Sequence, residues 1–254
     1  MRPFALAAAS ALLYAISFPS GPWSAVVLVA LVPFLRAIDA CSDPGRRFAA
    51  GAVFGFIAAT GLAWWVAVAA HGHFHLSSAA SALFVLAAVA LPMALLYGLF
   101  AIAHGFLKSE KAAYSMLVFP SLWVLAEYCR EALPLFLPWG LAGYALTWCT
   151  PLVQIADVAG VYGVSFLVAF VNAQAHRVCD GVCIKREGMT SCAGILKSAP
   201  GVMRERRAYV LALCLAIAIP LAYGAFSLWR WNGLVRGELS RGRGVAARIV
   251  QPAF

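Results

Sequence analysis

The chain has 254 residues, of which 63% are hydrophobic and 11% charged, and its formal net charge is +9. Soluble domains are nearer to ~45–50% apolar and ~25% charged, so the composition predicts an integral membrane protein with several spans. Nucleic-acid binding is not expected, because the Lys and Arg residues lie in short loops between apolar runs and form no basic stripe with interleaved aromatic residues.

Seven apolar segments follow one another along the chain and predict an all-α bundle of about seven transmembrane helices. A complete span needs about 20 residues, so the first two segments, joined by a Pro-Ser-Gly-Pro turn, are expected to form a hairpin of short helices. The fourth segment is long and contains Pro92, which is expected to kink it. The segments are 4–18, 23–38, 48–70, 79–106, 112–128, 161–175 and 208–228.

The positively charged residues predict the orientation of the bundle. If the N-terminus is cytoplasmic, almost all loop Lys and Arg residues fall on the cytoplasmic side, including those of the basic loop 176–207. The short loops on the opposite side of the membrane then contain only one such residue, Arg130. Because cytoplasmic loops are enriched in these residues, we expect a multi-pass protein with a cytoplasmic N-terminus and, after seven spans, a C-terminus outside.

The fifth apolar segment ends with ionisable residues. Glu127 and Arg130 are three residues apart on a predicted helix, and Trp123 lies on the same face. An ionisable residue near membrane depth is a candidate for function. The two residues could form a structural ion pair at the helix end, or they could orient a phospholipid headgroup.

A segment rich in glycine and aromatic residues follows, with Pro138-Trp139-Gly140, Gly143-Tyr144 and then the run 160–167 (GVYGVSFL). A solvated linker would not have this composition, so we expect the segment to lie in the membrane interface or to fold back against the bundle. On composition alone, it could also be an aromatic belt with close helix packing.

Together with Trp123, Glu127 and Arg130, these runs resemble the apolipoprotein N-acyltransferase family, and the resemblance extends over essentially the whole chain. The run 160–167 with the upstream Pro138-Trp139 is its most specific part. The chain departs from the family at Leu137, where Phe is usual, and at Leu146, where Gln is frequent.

The resemblance implies a membrane bundle at 1–231 and, at 232–254, a linker and the first strand (245–252) of a periplasmic nitrilase-like domain. In the family, a Glu-Lys-Cys triad takes an acyl chain from a phospholipid as a thioester and passes it to the S-diacylglyceryl cysteine of an apolipoprotein. That triad would lie beyond Phe254. We therefore expect no catalytic residue in this chain and no catalysis by this polypeptide alone, unless a second chain completes it.

The resemblance also implies a bacterial inner membrane as the location, with the C-terminus in the periplasm, and phospholipid and apolipoprotein as partners. Trp139, Tyr144, Glu127 and Arg130 become candidates for shaping the substrate cleft. Trp231, at the end of the last span, is a further candidate, although aromatic residues there also serve as interface anchors.

No metal site and no cofactor are predicted. His71, His73 and His75 alternate in one loop and could bind Zn²⁺ or Cu²⁺, but no carboxylate or Cys in that loop completes the site. Cys179 and Cys183 have a spacing found in zinc sites, but no paired second half follows them.

Three functional hypotheses remain from the sequence. The first is the membrane part of an N-acyltransferase, and the second is a non-catalytic module that binds lipid or lipoprotein. A Glu-Lys-Cys continuation encoded directly downstream would favour the first. The third is a small permease based on the His71–His75 loop, which would need ionisable residues in the middle of the spans.

Overall fold

The computed structural model describes residues 2–19, 21–108, 112–132, 139–187 and 192–240. Every regular element in these ranges is helical, and no β-strand is found within them. The strand expected at 245–252 lies outside the described residues. The helices are α1 (Arg2–Ile16), α2 (Val27–Ala30), α3 (Val32–Asp39), α4 (Pro44–Phe74), α5 (Ser78–Val85), α6 (Leu91–Leu107), α7 (Ala112–Ala132), α8 (Thr150–Val153), α9 (Ala156–Glu187) and α10 (Cys192–Ser240).

Four stretches of helix are long and apolar enough to cross a membrane, which makes this a multi-pass, all-α membrane protein. They are Pro44–Phe74, Ser78–Leu107, Ala156–Cys179 and Arg207–Gly237, all found among the described residues. The predicted hairpin of short apolar helices is present, because α1 packs against α2 and α3.

Two features of the helices differ from the sequence prediction. The stretch 176–207, predicted as a loop, is largely helical, because α9 continues to Glu187 and α10 begins at Cys192. The apolar pattern ends before these helices do, and helical hydrogen bonds do not depend on that pattern. Helix α10 also continues to Ser240, past the domain boundary placed at 231–232, so the division into domains stays a prediction.

A π-helical turn at Leu86–Ala90 joins α5 to α6 just before Pro92, while the kink expected at Pro92 stays a prediction. Proline lacks an N–H group, and its ring crowds the carbonyl one turn earlier in the helix. Widening the preceding turn relieves this crowding and keeps the stretch helical from Ser78 to Leu107.

Close approach of backbones holds α4 against α6. A side chain at Gly51 would place its Cβ 2.1 Å from the carbonyl oxygen of Tyr97, and one at Gly55 would lie 2.3 Å from that of Met93. Only glycine fits at such positions. This spacing of four residues is the small-residue pattern by which membrane helices pack closely.

The centre of the bundle is a cluster of aromatic rings around Trp123, which is completely buried. Edge-to-face and tilted ring pairs of this kind stabilise a core beyond the area that they bury. The ring of Trp123 lies 5.4–6.0 Å, centroid to centroid, from the rings of Tyr14, Phe54, Tyr97, Phe100 and Phe119.

A side-chain amide from α9 takes the place of a backbone hydrogen bond that is missing between α2 and α3. In a regular helix the N–H of Leu31 would bond to the carbonyl of Val27. Here Leu31 N–H donates to Oδ1 of Asn172 (2.8 Å), and Nδ2 of Asn172 donates to the carbonyl of Val27 (2.8 Å). The buried Asn172 amide is thus inserted into the hydrogen-bond ladder of the broken helix and fixes α9 beside it.

At one end of the bundle, Asp39 joins three helices. Its Oδ1 is 2.9 Å from Nζ of Lys108, and its Oδ2 is 3.0 Å from Nε2 of His176. Burial by itself would raise the pKa of Asp39, but the hydrogen bonds from His176 and Lys108 outweigh it and hold the pKa well below its ordinary value. The cluster therefore contains a carboxylate at neutral pH and ties the ends of α3, α6 and α9 together.

The inserted amide leads to a stability prediction. Asn172→Leu keeps the branched shape and the number of heavy atoms of the side chain but removes both hydrogen bonds to the broken helix, so it should lower the free energy of unfolding in detergent by about 1–3 kcal/mol. Thr60→Val is the matched control, because Thr60 only bonds to the carbonyl of Phe56 in its own helix. If Asn172→Leu is no more destabilising than Thr60→Val, the insertion has no structural role.

Candidate functional site

At the other end of the bundle, residues 139–146 fold back over the helices, which is one of the two placements expected from the sequence. We call these residues the shelf. Gly140 has φ +76°, a left-handed conformation that suits glycine, and its carbonyl accepts a hydrogen bond from the Tyr14 hydroxyl (2.9 Å). Residues 142–146 then form a 3₁₀ helix in which all side chains except that of Tyr144 are buried.

Glu127 attaches the shelf to α7. Its side chain is completely buried, and Oε1 accepts hydrogen bonds from Nε1 of Trp123 (3.0 Å) and from the backbone N–H of Ala142 (2.7 Å). The carboxyl group therefore connects the central aromatic ring to the first residue of the 3₁₀ helix.

A second attachment comes from α9. The backbone N–H of Gly143 donates to Oγ of Ser165 (2.9 Å). A Cβ at Gly143 would lie 2.8 Å from the carbonyl oxygen of Val161, so only glycine allows this approach. The sequence analysis treated Gly143-Tyr144 and the run 160–167 as separate motifs. In the structure they form the two sides of one contact.

Glu127 and Arg130 do not form the direct ion pair that their spacing suggested. Glu127 turns toward Trp123 and Ala142. Arg130 is 3% exposed, and its Nε and Nη2 atoms have no hydrogen-bond partner in the described part of the chain. Spacing along a helix brings the two residues to one face, but it cannot show that a distant backbone N–H competes for the carboxyl group.

Arg130 lines a small pocket with a cavity volume of about 30 Å³, which is room for about one water molecule. Its walls come from α1, α4, α6, the π-helical turn and the shelf. All lining residues are buried except Leu62 and Trp139, which mark the opening. The lining residues are Tyr14, Gly55, Ala58, Ala59, Leu62, Ala63, Val89, Met93, Tyr97, Arg130 and Trp139.

Two tryptophans stand at this opening. Trp139 is 47% exposed, and its ring contacts that of Trp65 edge to face, with centroids 4.5 Å apart. Tryptophan prefers the boundary between the hydrocarbon region and water, so the opening has the side chains expected at a membrane interface.

The structure brings some of the predicted site residues together and leaves others apart. Arg130 and Trp139 share the pocket, and Glu127 holds the shelf above it. Tyr144 is exposed on the outer face of the shelf. Trp231 is 64% exposed on α10, which packs against α8 and α9, and it does not line the pocket.

Sequence reasoning missed Tyr14 and Tyr97, which lie in the walls of the pocket. Both are fully buried in apolar helices. Their signal in the sequence is a lone hydroxyl-bearing ring among aliphatic residues, which is weak because tyrosine is also common at membrane interfaces.

The alternating histidines do not form a metal-binding cluster. Nδ1 of His71 lies 2.7 Å from the carbonyl oxygen of Leu76, and His75 is the left-handed residue that ends α4. In the ranges that the structure describes, no three His, Cys, Asp or Glu side chains converge on one point.

Comparison with known proteins gives a consistent result. The family described as "Apolipoprotein N-acyltransferase N-terminal domain" matches residues 10–174. The apolipoprotein N-acyltransferase of Geobacter metallireducens is 31% identical over 224 residues, and apolipoprotein N-acyltransferase 2 of Treponema pallidum is 28% identical over 232 residues. These alignments cover 88% and 85% of this chain but only 39% of each relative, so the chain spans about two fifths of their length.

The contact between the shelf and α9 leads to a second stability prediction. Gly143→Ala should force the two backbones apart and lower the free energy of unfolding in detergent by about 1–3 kcal/mol. Gly72→Ala is the control, because a Cβ there meets nothing within 4 Å and alanine favours the helix. Equal melting temperatures for the two variants would mean that the shelf does not need this close contact.

Proposed function

We propose, because this chain belongs to the apolipoprotein N-acyltransferase family, that it forms the membrane part of an enzyme that acylates lipoproteins. The whole enzyme would transfer an acyl chain from a phospholipid to the N-terminal S-diacylglyceryl cysteine of an apolipoprotein. The observation that carries the proposal is that the family match, residues 10–174, contains the whole pocket and both attachments of the shelf.

The position of the pocket supports a role in receiving lipid substrates. Its opening lies beside Trp65 and Trp139, at the end of the bundle opposite to the Asp39 cluster. Substrates with acyl chains reach a protein from within the bilayer, and their polar groups stay at the interface. A pocket that opens at interface tryptophans would let such a substrate enter sideways.

In this proposal the bundle crosses a bacterial inner membrane seven times, with a cytoplasmic N-terminus and a periplasmic C-terminus. The added spans are α1, the α2–α3 pair and α7. The orientation is supported by the positively charged residues near the Asp39 cluster, among them Arg46, Arg47 and Lys108, which would face the cytoplasm. The shelf and the tryptophans would then face the periplasm.

The proposed division of labour gives no catalytic role to the described residues. Trp139, Tyr144 and Trp231 would contact substrates or the neighbouring domain, while Glu127 and Arg130 would shape the cleft. The acyl chemistry would belong to a nitrilase-like domain that starts within 232–254. The remainder of a longer polypeptide, or a second chain, would supply that domain, as the greater length of the relatives allows.

This division predicts that the 254-residue polypeptide alone forms no acyl-enzyme. In this proposal the nucleophilic thiol belongs to the nitrilase-like domain, and at Cys41, one of the seven cysteines, burial raises the pKa of the thiol, which disfavours the thiolate that a thioester needs. After incubation with an alkyne-bearing phospholipid, the purified polypeptide should carry no hydroxylamine-sensitive label.

The positive control is the same polypeptide joined to the remaining, C-terminal part of the Geobacter metallireducens relative, which should become labelled. A hydroxylamine-sensitive adduct on the 254-residue polypeptide by itself would refute the proposed division. It would place a nucleophile within residues 1–254.

A second prediction tests the opening of the pocket. In the joined protein, Trp139→Ala should raise KM for the phospholipid about tenfold, which corresponds to about 1.4 kcal/mol, because the large aromatic contact at the opening is lost. Trp64→Ala is the control, since Trp64 is exposed and does not line the pocket. Acyl transfer should be measured in vesicles, together with N-acylation in cells depleted of their own enzyme.

Unchanged kinetics for Trp139→Ala would show that the opening of the pocket takes no part in binding the phospholipid.

A family member that binds substrates without catalysis would show a different pattern. The joined protein would then retain lipid binding and form no thioester, even though its nitrilase-like part is folded.

A further inference from the structure

The end of the bundle that contains the Asp39 cluster has a large excess of positive charge. The sequence segments that connect the spans at this end are 1–3, 36–47, 107–111 and 176–207. Together they contain thirteen Lys and Arg residues but only six Asp and Glu residues. The count covers whole segments, so every carboxylate outside the described residues is already included in it. This end of the protein therefore attracts anions.

Two arginines of this excess follow one another at the start of α4. Arg46 is exposed, whereas Arg47 is partly buried and held in place, because its Nε donates to the carbonyl of Cys41 (2.8 Å). The neighbouring carboxylate already has a role, since Oδ2 of Asp43 accepts from the backbone N–H of Arg46 (2.9 Å) and caps the helix. The first turn of this membrane-spanning helix thus presents two cations, one of them in a fixed position.

A glycine on α6 makes room for the fixed cation. A Cβ at Gly105 would lie 2.3 Å from Nη1 of Arg47 and 2.8 Å from its Cζ, so the guanidinium lies directly over this glycine. Two turns earlier, a Cβ at Gly98 would lie 2.6 Å from the ring of Phe48. The two glycines therefore form a groove on α6 that takes Phe48 deeper in the membrane and Arg47 at the last turn of the span Ser78–Leu107.

An exposed apolar row starts beside this groove and follows α6 into the membrane. Phe106, next to Gly105, is 74% exposed, and Leu99 and Leu95 are both more than half exposed. They are spaced by seven and four residues, which places them on one face of the helix. A lipid whose headgroup lies beside Arg47 can therefore lay an acyl chain along this row.

We propose that Arg46 and Arg47 bind the headgroup of an anionic phospholipid whose acyl chain lies along Phe106, Leu99 and Leu95. A guanidinium presents parallel N–H groups that match the oxygens of a phosphate. The excess of positive charge favours an anionic headgroup over a zwitterionic one, and the apolar row favours a lipid over a free anion. This lipid is a bound component of the bundle and not a substrate, so the inference does not rest on the proposed function.

Native mass spectrometry of the purified 254-residue chain in detergent tests the site. The probes are dioleoyl phosphatidylglycerol, dioleoyl phosphatidylcholine, which has the same acyl chains but no net charge, and inorganic phosphate. Phosphatidylglycerol should bind at least about fivefold more tightly than phosphatidylcholine, which is the contribution of one cation near an anionic headgroup. Inorganic phosphate in excess should not displace it.

The variants separate the fixed guanidinium from general charge. Arg47→Gln should weaken phosphatidylglycerol binding about fivefold and leave phosphatidylcholine binding unchanged. Gly105→Ala keeps every charge but displaces the guanidinium, so it should weaken phosphatidylglycerol binding about twofold or more. Phe106→Ala should weaken both lipids equally, because it removes only a contact with the acyl chain. The controls are Arg236→Gln, an exposed cation at the other end of the bundle, and Gly72→Ala, and neither should change binding.

Equal affinity of the unaltered chain for the two lipids would overturn the site. Displacement by inorganic phosphate would also overturn it, because the groove would then take a free anion. If Arg47→Gln and Arg236→Gln have equal effects, or Gly105→Ala has none, the preference comes from net charge alone and the site is refuted. Gly105→Ala decides the question if Arg47→Gln does not fold, because its Cβ meets only the end of a flexible side chain.

Discussion

The arrangement at the candidate site depends on one buried carboxyl group. Glu127 accepts from the indole of Trp123 and from the backbone of Ala142, so a single oxygen connects the aromatic centre of the bundle to the shelf. A buried acceptor with two donors is strongly directional in a low-dielectric interior, and an unpaired one is costly. The shelf is thus fixed from below by Glu127, while Tyr14 and Ser165 hold its two neighbouring glycine positions.

The same carboxyl group leaves Arg130 without a direct hydrogen-bond partner. Glu127 holds the shelf through Oε1, whereas its Oε2 and the Nε and Nη2 atoms of Arg130 have no hydrogen-bond partner in the described part of the chain. Arg130 and Trp139 both line the small pocket below the shelf. The carboxyl group that fixes the shelf and the guanidinium that lines the pocket therefore belong to residues only three positions apart.

Much of this fold could be predicted from the sequence, because apolar length and charge distribution determine where helices form in a membrane. The short N-terminal hairpin follows from segment length, whereas the π-helical turn before Pro92 was not predicted. The insertion of Asn172 into the α2–α3 break could not be predicted, since it joins residues about 140 positions apart. The partners of Glu127 were missed for a related reason. Helical spacing identifies residues on one face, but it does not show which backbone donors compete for the carboxyl group.

The most direct measurement of the central claim is hydrogen exchange of the amides in residues 139–146, followed by mass spectrometry in detergent. Glu127→Leu removes the acceptor of the Ala142 amide, so exchange across the shelf should become about tenfold faster or more. Amides in Ser78–Leu107 should keep their protection, which would show that the change is local. Unchanged protection of the shelf in Glu127→Leu would contradict the account, and so would an equal loss of protection in both regions.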